Sequence, residues 1–323
     1  MQCRGYTLSA RQAQPSARPR REKGVAVARS RDRLSAMPIS RPYDLHEPES
    51  LASRAVFSSP HSGREYPEEL VRRSRLPLRE LRASEDALVD RLFADAPGRG
   101  APLLAAVAPR AWLDLNRAPG ELDPALIEGV SPRGLNQRVA AGLGVVPRVV
   151  SEGREIYAGK LTQAEAEARV RAIHVPYHRV LEALVARARD RFGSAILFDC
   201  HSMPTEALRA APRVRGRFPE IVLGDRFGAS ADRAVIALAE EAFTRAGLVV
   251  ARNAPFAGGY ITQRYGRPQR GVHALQIEID RGLYLDQARI EAAPGFADLA
   301  ALMRGVVRDL AELGGTEPRL AAE

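Results

Sequence analysis

Two histidines stand at the ends of apolar runs, and their chemistry sets the first question. Ala55-Val56-Phe57-Ser58-Ser59-Pro60-His61-Ser62-Gly63 delivers His61, and Ala195-Ile196-Leu197-Phe198-Asp199-Cys200-His201-Ser202-Met203-Pro204 delivers His201. Neutral imidazole is a good ligand for a divalent cation, and a catalytic zinc site takes three nitrogen or oxygen ligands and leaves a position open. A carboxylate must complete such a set. Asp86 of Ser84-Glu85-Asp86 is the first choice and Glu85 the alternative. The short-range zinc signature His-Glu-x-x-His is absent, and Arg64 stands three residues after His61 where a His-x-x-Glu pair needs an acid. The trio His61, Asp86 and His201 therefore has to be assembled from distant segments.

A cation held this way lowers the pKa of its water from about 15.7 to about 7, and a general base must then take a proton and pass it on. Glu278 is the candidate: Leu275, Ile277 and Ile279 fall on one face of the run Ala274–Asp280, and Gln276, Glu278 and Asp280 on the other. A carboxylate on a strand otherwise fit for burial needs a reason. Asn116-Arg117 offers a guanidinium fork suited to a substrate carboxylate. Gly258-Gly259 allows backbone amides to come close to a ligand.

The elements that must position these groups follow from the spacing of apolar residues. Each histidine run reads as a buried strand, and in open α/β sheets ligands bind just past the carboxyl ends of strands. Further strands are expected at Leu103–Val107, Ala111–Leu115, Glu220–Leu223, Leu248–Ala251 and Ala274–Asp280. Helices are expected over residues 78–95, Thr162–Phe192, Ser230–Ala246 and 286–313. Thr162 and Glu165 form a capping-box pair, Pro176 should kink its helix, and Pro119–Gly144 is an irregular excursion. Strands alternating with helices argue an α/β fold, a mostly parallel mixed sheet with helices on both faces.

The charge of +9 suggests nucleic acid until its distribution is read. Residues 1–36 hold nine basic side chains against two acidic ones, so +7 lies in the tail and only +2 in the remaining chain. Phosphate-backbone binding by the body is not expected, and no run approaches the ~18–20 apolar residues of a membrane span. The tail lacks a secretory h-region; it reads as a disordered basic segment upstream of a start at Met37. Residues 37–315 read as one catalytic domain and 316–323 as a C-terminal tail. Two cysteines, Cys3 and Cys200, provide no disulfide framework and suit a reducing cytoplasm.

Several ordered motifs together resemble the N-formylglutamate amidohydrolase family over about residues 50–290. They are Ser58-Ser59-Pro60-His61-Ser62-Gly63 with Pro67, Asp114-Leu115-Asn116-Arg117, Pro176-Tyr177-His178, Asp199 to Pro204 and Gly224-Asp225-Arg226. Asn253-Ala254-Pro255-Phe256-Ala257-Gly258-Gly259-Tyr260-Ile261-Thr262 and Gln276 to Arg281 complete the series. Phe256 stands where Tyr is expected and Asp280 where Asn is common. The resemblance implies a fold related to zinc carboxypeptidases and aspartoacylases, and zinc-dependent cleavage of N-formyl-L-glutamate to formate and L-glutamate in histidine degradation. It supports Asn116 and Arg117 at the substrate carboxylate, adds Thr262 to the substrate loop with Gly258 and Gly259, and leaves Arg110 to polarise the scissile carbonyl. The expected partner is thus a small N-acyl amino acid.

Structural alternatives stand beside each assignment. His61 and His201 could be hydrogen-bonded strand-end residues, Asp86 a helix-start charge, and Glu278 half of an ion pair. His174, His178 and His273 read as packing residues, with His178 the best candidate to support a ligand from behind. Cys200 reads as a small buried residue, and without a Gly-x-Ser-x-Gly elbow a serine hydrolase is not expected. Another N-acyl amino acid deacylase, or a non-catalytic binding protein using the basic tail, are the competing functions.

Overall fold

The computed structural model describes residues 39–131 and 136–313; the basic tail before Met37 and the segment 316–323 lie outside them. At its centre is a seven-stranded mixed sheet. Its strands are β1 (Tyr43–His46), β2 (Ala55–Ser59), β3 (Leu103–Ala106), β4 (Ala195–Met203), β5 (Ile221–Gly224), β6 (Val250–Arg252) and β7 (Val272–Asp280), in the spatial order β1-β3-β2-β4-β7-β5-β6. Strands β3, β2, β4 and β7 run parallel at the centre; β1 pairs antiparallel with β3, and β5 antiparallel with β7. Parallel neighbours finish at the same edge of a sheet. His61, two residues beyond β2, is thereby brought to the end of the sheet that receives His201.

Both faces of the sheet are covered, as α/β architecture requires. Ile196, Phe198, Cys200, Leu275, Ile277 and Ile279 pack in one layer beneath two helices, Arg233–Arg245 and Phe296–Glu312. Ala195, Leu197, Val272 and Ala274 join Trp112, Tyr177 and Leu181 in the other, beneath the helix Val175–Phe192. Period-2 alternation along β4 and β7 explains the division. Towards their carboxyl ends the second face changes from apolar to polar: Leu197 gives way to Asp199 and His201, and Ala274 to Gln276 and Glu278. Pairing matches Asp199 with Gln276 and His201 with Glu278, so four polar side chains share one buried patch.

The Thr162–Glu165 capping box forms, starting the helix Gln163–Arg169. A π turn, Val170–His174, joins it directly to the helix Val175–Phe192, so the interruption expected at Pro176 takes the form of a widened turn just ahead of the proline within one continuous helical run. Gly193 ends that helix at φ 74°.

Four expectations need correction. Residues 78–95 form no continuous helix: a short turn at Leu78–Leu81, continued as a 3-10 turn over Arg82–Ser84, is separated from another at Val89–Leu92 by a break in which Glu85 is extended and Leu88 has φ 65°. That break releases Asp86 from helical geometry. Ala111–Leu115 is no strand; its apolar side chains are buried, but the backbone turns without a ladder partner. Residues 286–295 are not helical, and the last helix begins only at Phe296. The lead-in 37–53 hides the edge strand β1, too short and polar for periodicity to reveal.

Candidate metal centre and active site

Residues His61, Asp86 and His201 come together, all buried, with one potential ligand atom from each within 4.8 Å of the others. Asp86 is brought in by a backbone hydrogen bond, its N–H donating to the His61 carbonyl at 2.9 Å. His61 Nδ1 lies 3.3 Å and His201 Nδ1 2.9 Å from the same oxygen, Asp86 Oδ2. Glu85, the alternative, turns away to an ion pair with Arg82 at 2.9 Å. The opposite ring nitrogens each face another carboxylate: His61 Nε2 lies 2.7 Å from Asp114 Oδ1, and His201 Nε2 3.0 Å from Asp199 Oδ1.

This arrangement fits a cation. A carboxylate only accepts hydrogen bonds, so His61 presents Nε2–H to Asp114 and turns its Nδ1 lone pair to Asp86, while His201 holds Nε2 within ion-pair distance of Asp199 and its Nδ1 against the same Asp86 oxygen. Lone pairs converging in a buried space repel unless positive charge lies between them. His61 Nδ1 is itself buried without a hydrogen-bond partner. Histidines backed on the far nitrogen by carboxylates are the usual supporting pattern of metal-ligating imidazoles. Burial alone would raise Asp86, but with no cation present it is protons on His201 and His61 that face it, and they hold the carboxyl well below its ordinary range, the place a cation would take. Burial likewise would raise Asp114; the charges of Arg110 and Arg117 and the hydrogen bond from His61 keep it ionised.

The trio opens on a cavity of ≈ 760 Å³, lined also by Arg110, Asn116, Arg117, Arg138, Gly258, Gly259, Gln276, Glu278 and Arg281. Glu278 sits beside His201 across the strand pair and accepts a 2.8 Å hydrogen bond from Gln276 Nε2 on Oε1. Burial, above all, raises its pKa to about 7, with Asp86 adding to the rise and His201, Arg110 and Arg281 opposing it. Arg110 donates from Nε to Asp114 Oδ2 at 3.0 Å and is only half-buried at the cavity wall.

A model of the N-formylglutamate amidohydrolase family matches residues 53–285. The chain belongs to that family. N-formylglutamate deformylase of Pseudomonas aeruginosa is 35% identical over 229 residues, 69% of this chain and 79% of the relative. The protein of the same name from Pseudomonas putida is 29% identical over 202 residues, 62% and 70% of the two chains. Among solved structures, N-formylglutamate amidohydrolase from Ralstonia eutropha JMP134 is 35% identical with a TM-score of 0.79, over 84% of this chain and 98% of that one. Gene product Atu2144 of Agrobacterium tumefaciens shares the fold at 20% identity and a TM-score of 0.56, over 84% and 96%.

Within this amidohydrolase fold, the residues assigned to substrate divide into two groups. Arg110, Arg117, Gly258 and Gly259 line the cavity. Asn116 also lines it, but its amide is engaged internally: Oδ1 accepts from the Ile261 N–H at 2.8 Å, while Nδ2 donates to Asp199 Oδ2 at 3.2 Å and lies 3.1 Å from His201 Nε2. A Cβ at Gly259 would fall 2.5–2.7 Å from that amide, so the glycine makes room for Asn116 rather than for a ligand. Thr262 is fully buried, its hydroxyl donating to the Gly259 carbonyl at 3.0 Å; it braces the loop from behind. Arg117 donates to the carbonyl oxygens of Leu143 and Asn116.

Sequence reasoning assigned no role to Asp114, Asp199, Gln276 or Arg281. Arg281 donates from Nη2 to Asp86 Oδ1 at 2.9 Å and from Nε to Ser202 Oγ at 3.1 Å, tying down the oxygen of Asp86 that does not face the histidines. A signal existed for two of these. Asp199 precedes His201 by two on one strand, which places both on the same face, and the same alternation pairs Gln276 with Glu278.

Proposed function

We propose that the protein hydrolyses N-formyl-L-glutamate to formate and L-glutamate, with a zinc ion that His61, Asp86 and His201 would hold. The observation that carries this reading is the convergence of two carboxylate-backed imidazoles on one carboxylate oxygen, inside a cavity that also contains a buried glutamate beside His201. Zinc in such a site supplies Lewis acidity and lets water act as nucleophile near neutral pH. Glu278 takes the proton from the attacking water on a carboxylate oxygen and returns it to the departing amine nitrogen; burial makes it a stronger base than an ordinary carboxylate, which favours that task. Arg110, at the cavity wall, would stabilise negative charge developing on the former carbonyl oxygen, and Arg117 would help make the substrate-carboxylate end of the cavity electropositive.

Among the described residues no helix is long and apolar enough to cross a membrane. Cys200 is buried. Side-by-side turnover of formyl-, acetyl- and succinyl-glutamate tests the substrate, with formyl expected to be fastest. If formyl is the poorest of the three, the reading gives way to a deacylase of another N-acyl amino acid. Removal of metal by a chelator should abolish turnover, and zinc should restore it; turnover that survives complete removal of metal refutes the metal assignment.

A further inference from the structure

Asp114-Leu115-Asn116-Arg117 supplies one carboxylate behind a histidine and one amide beside the other, yet it is irregular backbone. Its buried carbonyl oxygens have no strand ladder to satisfy them, and buried backbone groups must find partners. Leu115 O lies 2.9 Å from His178 Nε2, and Arg117 O lies 2.9 Å from His174 Nε2. Because a carbonyl only accepts, both rings present Nε2–H.

We infer that His174 and His178 are a pair of positioning residues, a neutral two-point clamp that fixes the peptide units following Leu115 and Arg117, and so holds the loop that aims Asp114 and Asn116 at the two imidazoles of the trio. The inference rests on the metal reading above. Residues four apart on an α-helix lie one above the other on the same face, ~6 Å apart along the axis, so two imidazoles at that spacing can reach two carbonyl oxygens of one loop. The turn in question starts where the π turn Val170–His174 meets the following helix, so that His174 and His178 face the same loop.

Histidine suits this task because it donates one hydrogen bond while remaining uncharged in an apolar setting. The two rings lie 4.2 Å apart, and His178 packs against Tyr177, Tyr260 and Tyr265 at 5.7, 5.4 and 5.9 Å. Both are buried. Burial depresses both rings, His178 to about 3, with the neighbouring His174 adding to its shift. The Tyr265 hydroxyl lies 2.9 Å from His178 Nδ1, which can accept when Nε2 carries the proton, and 3.0 Å from the His178 carbonyl, the other acceptor within reach of its one proton. From the clamp, the chain of contacts is short. The Asn116 N–H donates to Asp114 Oδ1 at 2.8 Å, and that oxygen meets His61; the Asn116 amide meets Asp199 beside His201.

The test compares His174→Phe and His178→Phe with His174→Gln and His178→Gln in the full chain. Zinc affinity is read by competition with a chelating dye after metal removal, kcat and KM with N-formyl-L-glutamate, and folding by thermal melting. A clamp acting through hydrogen bonds predicts that the Phe variants lose ~10-fold or more in zinc affinity and in kcat, the range seen when partners behind metal ligands are removed. The Gln variants, whose amide can still donate, should stay within about 3-fold of the parent. A packing role predicts the reverse order, since Phe keeps the apolar ring and Gln buries an extra polar group. Folded Phe variants with unchanged affinity and kcat, or Gln variants falling as far as Phe, overturn the clamp. Should the Phe variants not fold, long-range proton–nitrogen NMR of the parent protein decides. Both rings must be neutral Nε2–H tautomers at pH 7, and an Nδ1–H tautomer or an imidazolium at either position overturns it. A parent protein that never takes up zinc refutes the metal reading, while the tautomer measurement still decides the clamp.

Discussion

Gln276 offers the sharpest test of the role given to Glu278, because it touches that carboxylate and no candidate ligand. Its Nε2 donates to Glu278 Oε1 at 2.8 Å in a buried patch, and a hydrogen bond to the charged form stabilises that form. Such a bond contributes about 1.5–3 kcal/mol, and one pKa unit corresponds to about 1.36 kcal/mol. Gln276→Leu should therefore raise the Glu278 pKa by ~1–2 units; the lower figure is preferred because cavity water can replace part of the lost bond. The parent value of about 7 describes the site without a cation. A divalent ion draws it downward in parent and variant alike, so the difference between them persists.

The assay is kcat/KM against pH from 5 to 9, which reports the essential groups of the free enzyme. The base works as carboxylate, so activity falls on the acid side as it gains its proton. At one pH unit below the parent's acid limb the variant should be about tenfold slower, a factor that follows from a shift of about one unit. Two units above the limb the two should agree within about twofold. Glu278→Gln should lose ~10²–10⁴-fold and have no acid limb from this group. A Gln276→Leu variant that is slower by the same factor at every pH, or whose limb moves to lower pH, refutes the reasoning.

Three further perturbations separate the parts of the site. Gly259→Ala places a methyl 2.5–2.7 Å from the Asn116 amide; it should lower stability by ~1–3 kcal/mol in thermal or urea melts and turnover by more than that stability loss explains. Asp199→Asn removes the charge behind His201 Nε2, and zinc affinity measured by chelator competition should fall ~10–100-fold with the fold intact. His178 is held neutral in the fold with a pKa of about 3, against an ordinary value of 6.5, so the unfolded chain binds one more proton between those limits. Its contribution is whole above pH 6.5 and is lost as pH falls towards 3, about 2 kcal/mol being gone at pH 5; urea melts of parent and His178→Gln at pH 5 and 7.5 should differ by that amount in their pH dependence.

The parts of the molecule legible in sequence are those governed by local periodicity. The buried strands β2, β4 and β7 show as apolar runs, and the alternation on β7 divides Ile277 from Glu278 by position alone. The Thr162–Glu165 capping box is likewise local, and it forms. The Ser230–Ala246 pattern yields a helix that is shorter by a few residues at its start. Residues 78–95 escape the same reasoning because Leu81, Leu88, Leu92 and Phe93 are indeed all in or against the core, but reach it from separate short turns. Periodicity records burial, and burial does not require a continuous helix. The interruption at Glu85-Asp86 follows from the backbone bond to His61, a contact between residues 25 apart in sequence that no window can contain.

Ala111–Leu115 shows why the surroundings of His61, Asp86 and His201 are harder to read than those three residues themselves. As a strand, it would have put its carbonyls into a ladder and needed nothing further. As a buried loop, it creates acceptors that must be satisfied from elsewhere, and the donors come from His174 and His178, some sixty residues on. The identity of Asn116 then follows from three separate constraints: an N–H of Ile261 to accept, Asp199 to donate to, and Gly259 with no Cβ to obstruct it. Each of these residues looks ordinary alone. A ligand can be guessed from its own chemistry, since few side chains bind a cation. The groups that hold a ligand in place are chosen by what the intervening backbone leaves unsatisfied, and that quantity exists only after the chain has folded.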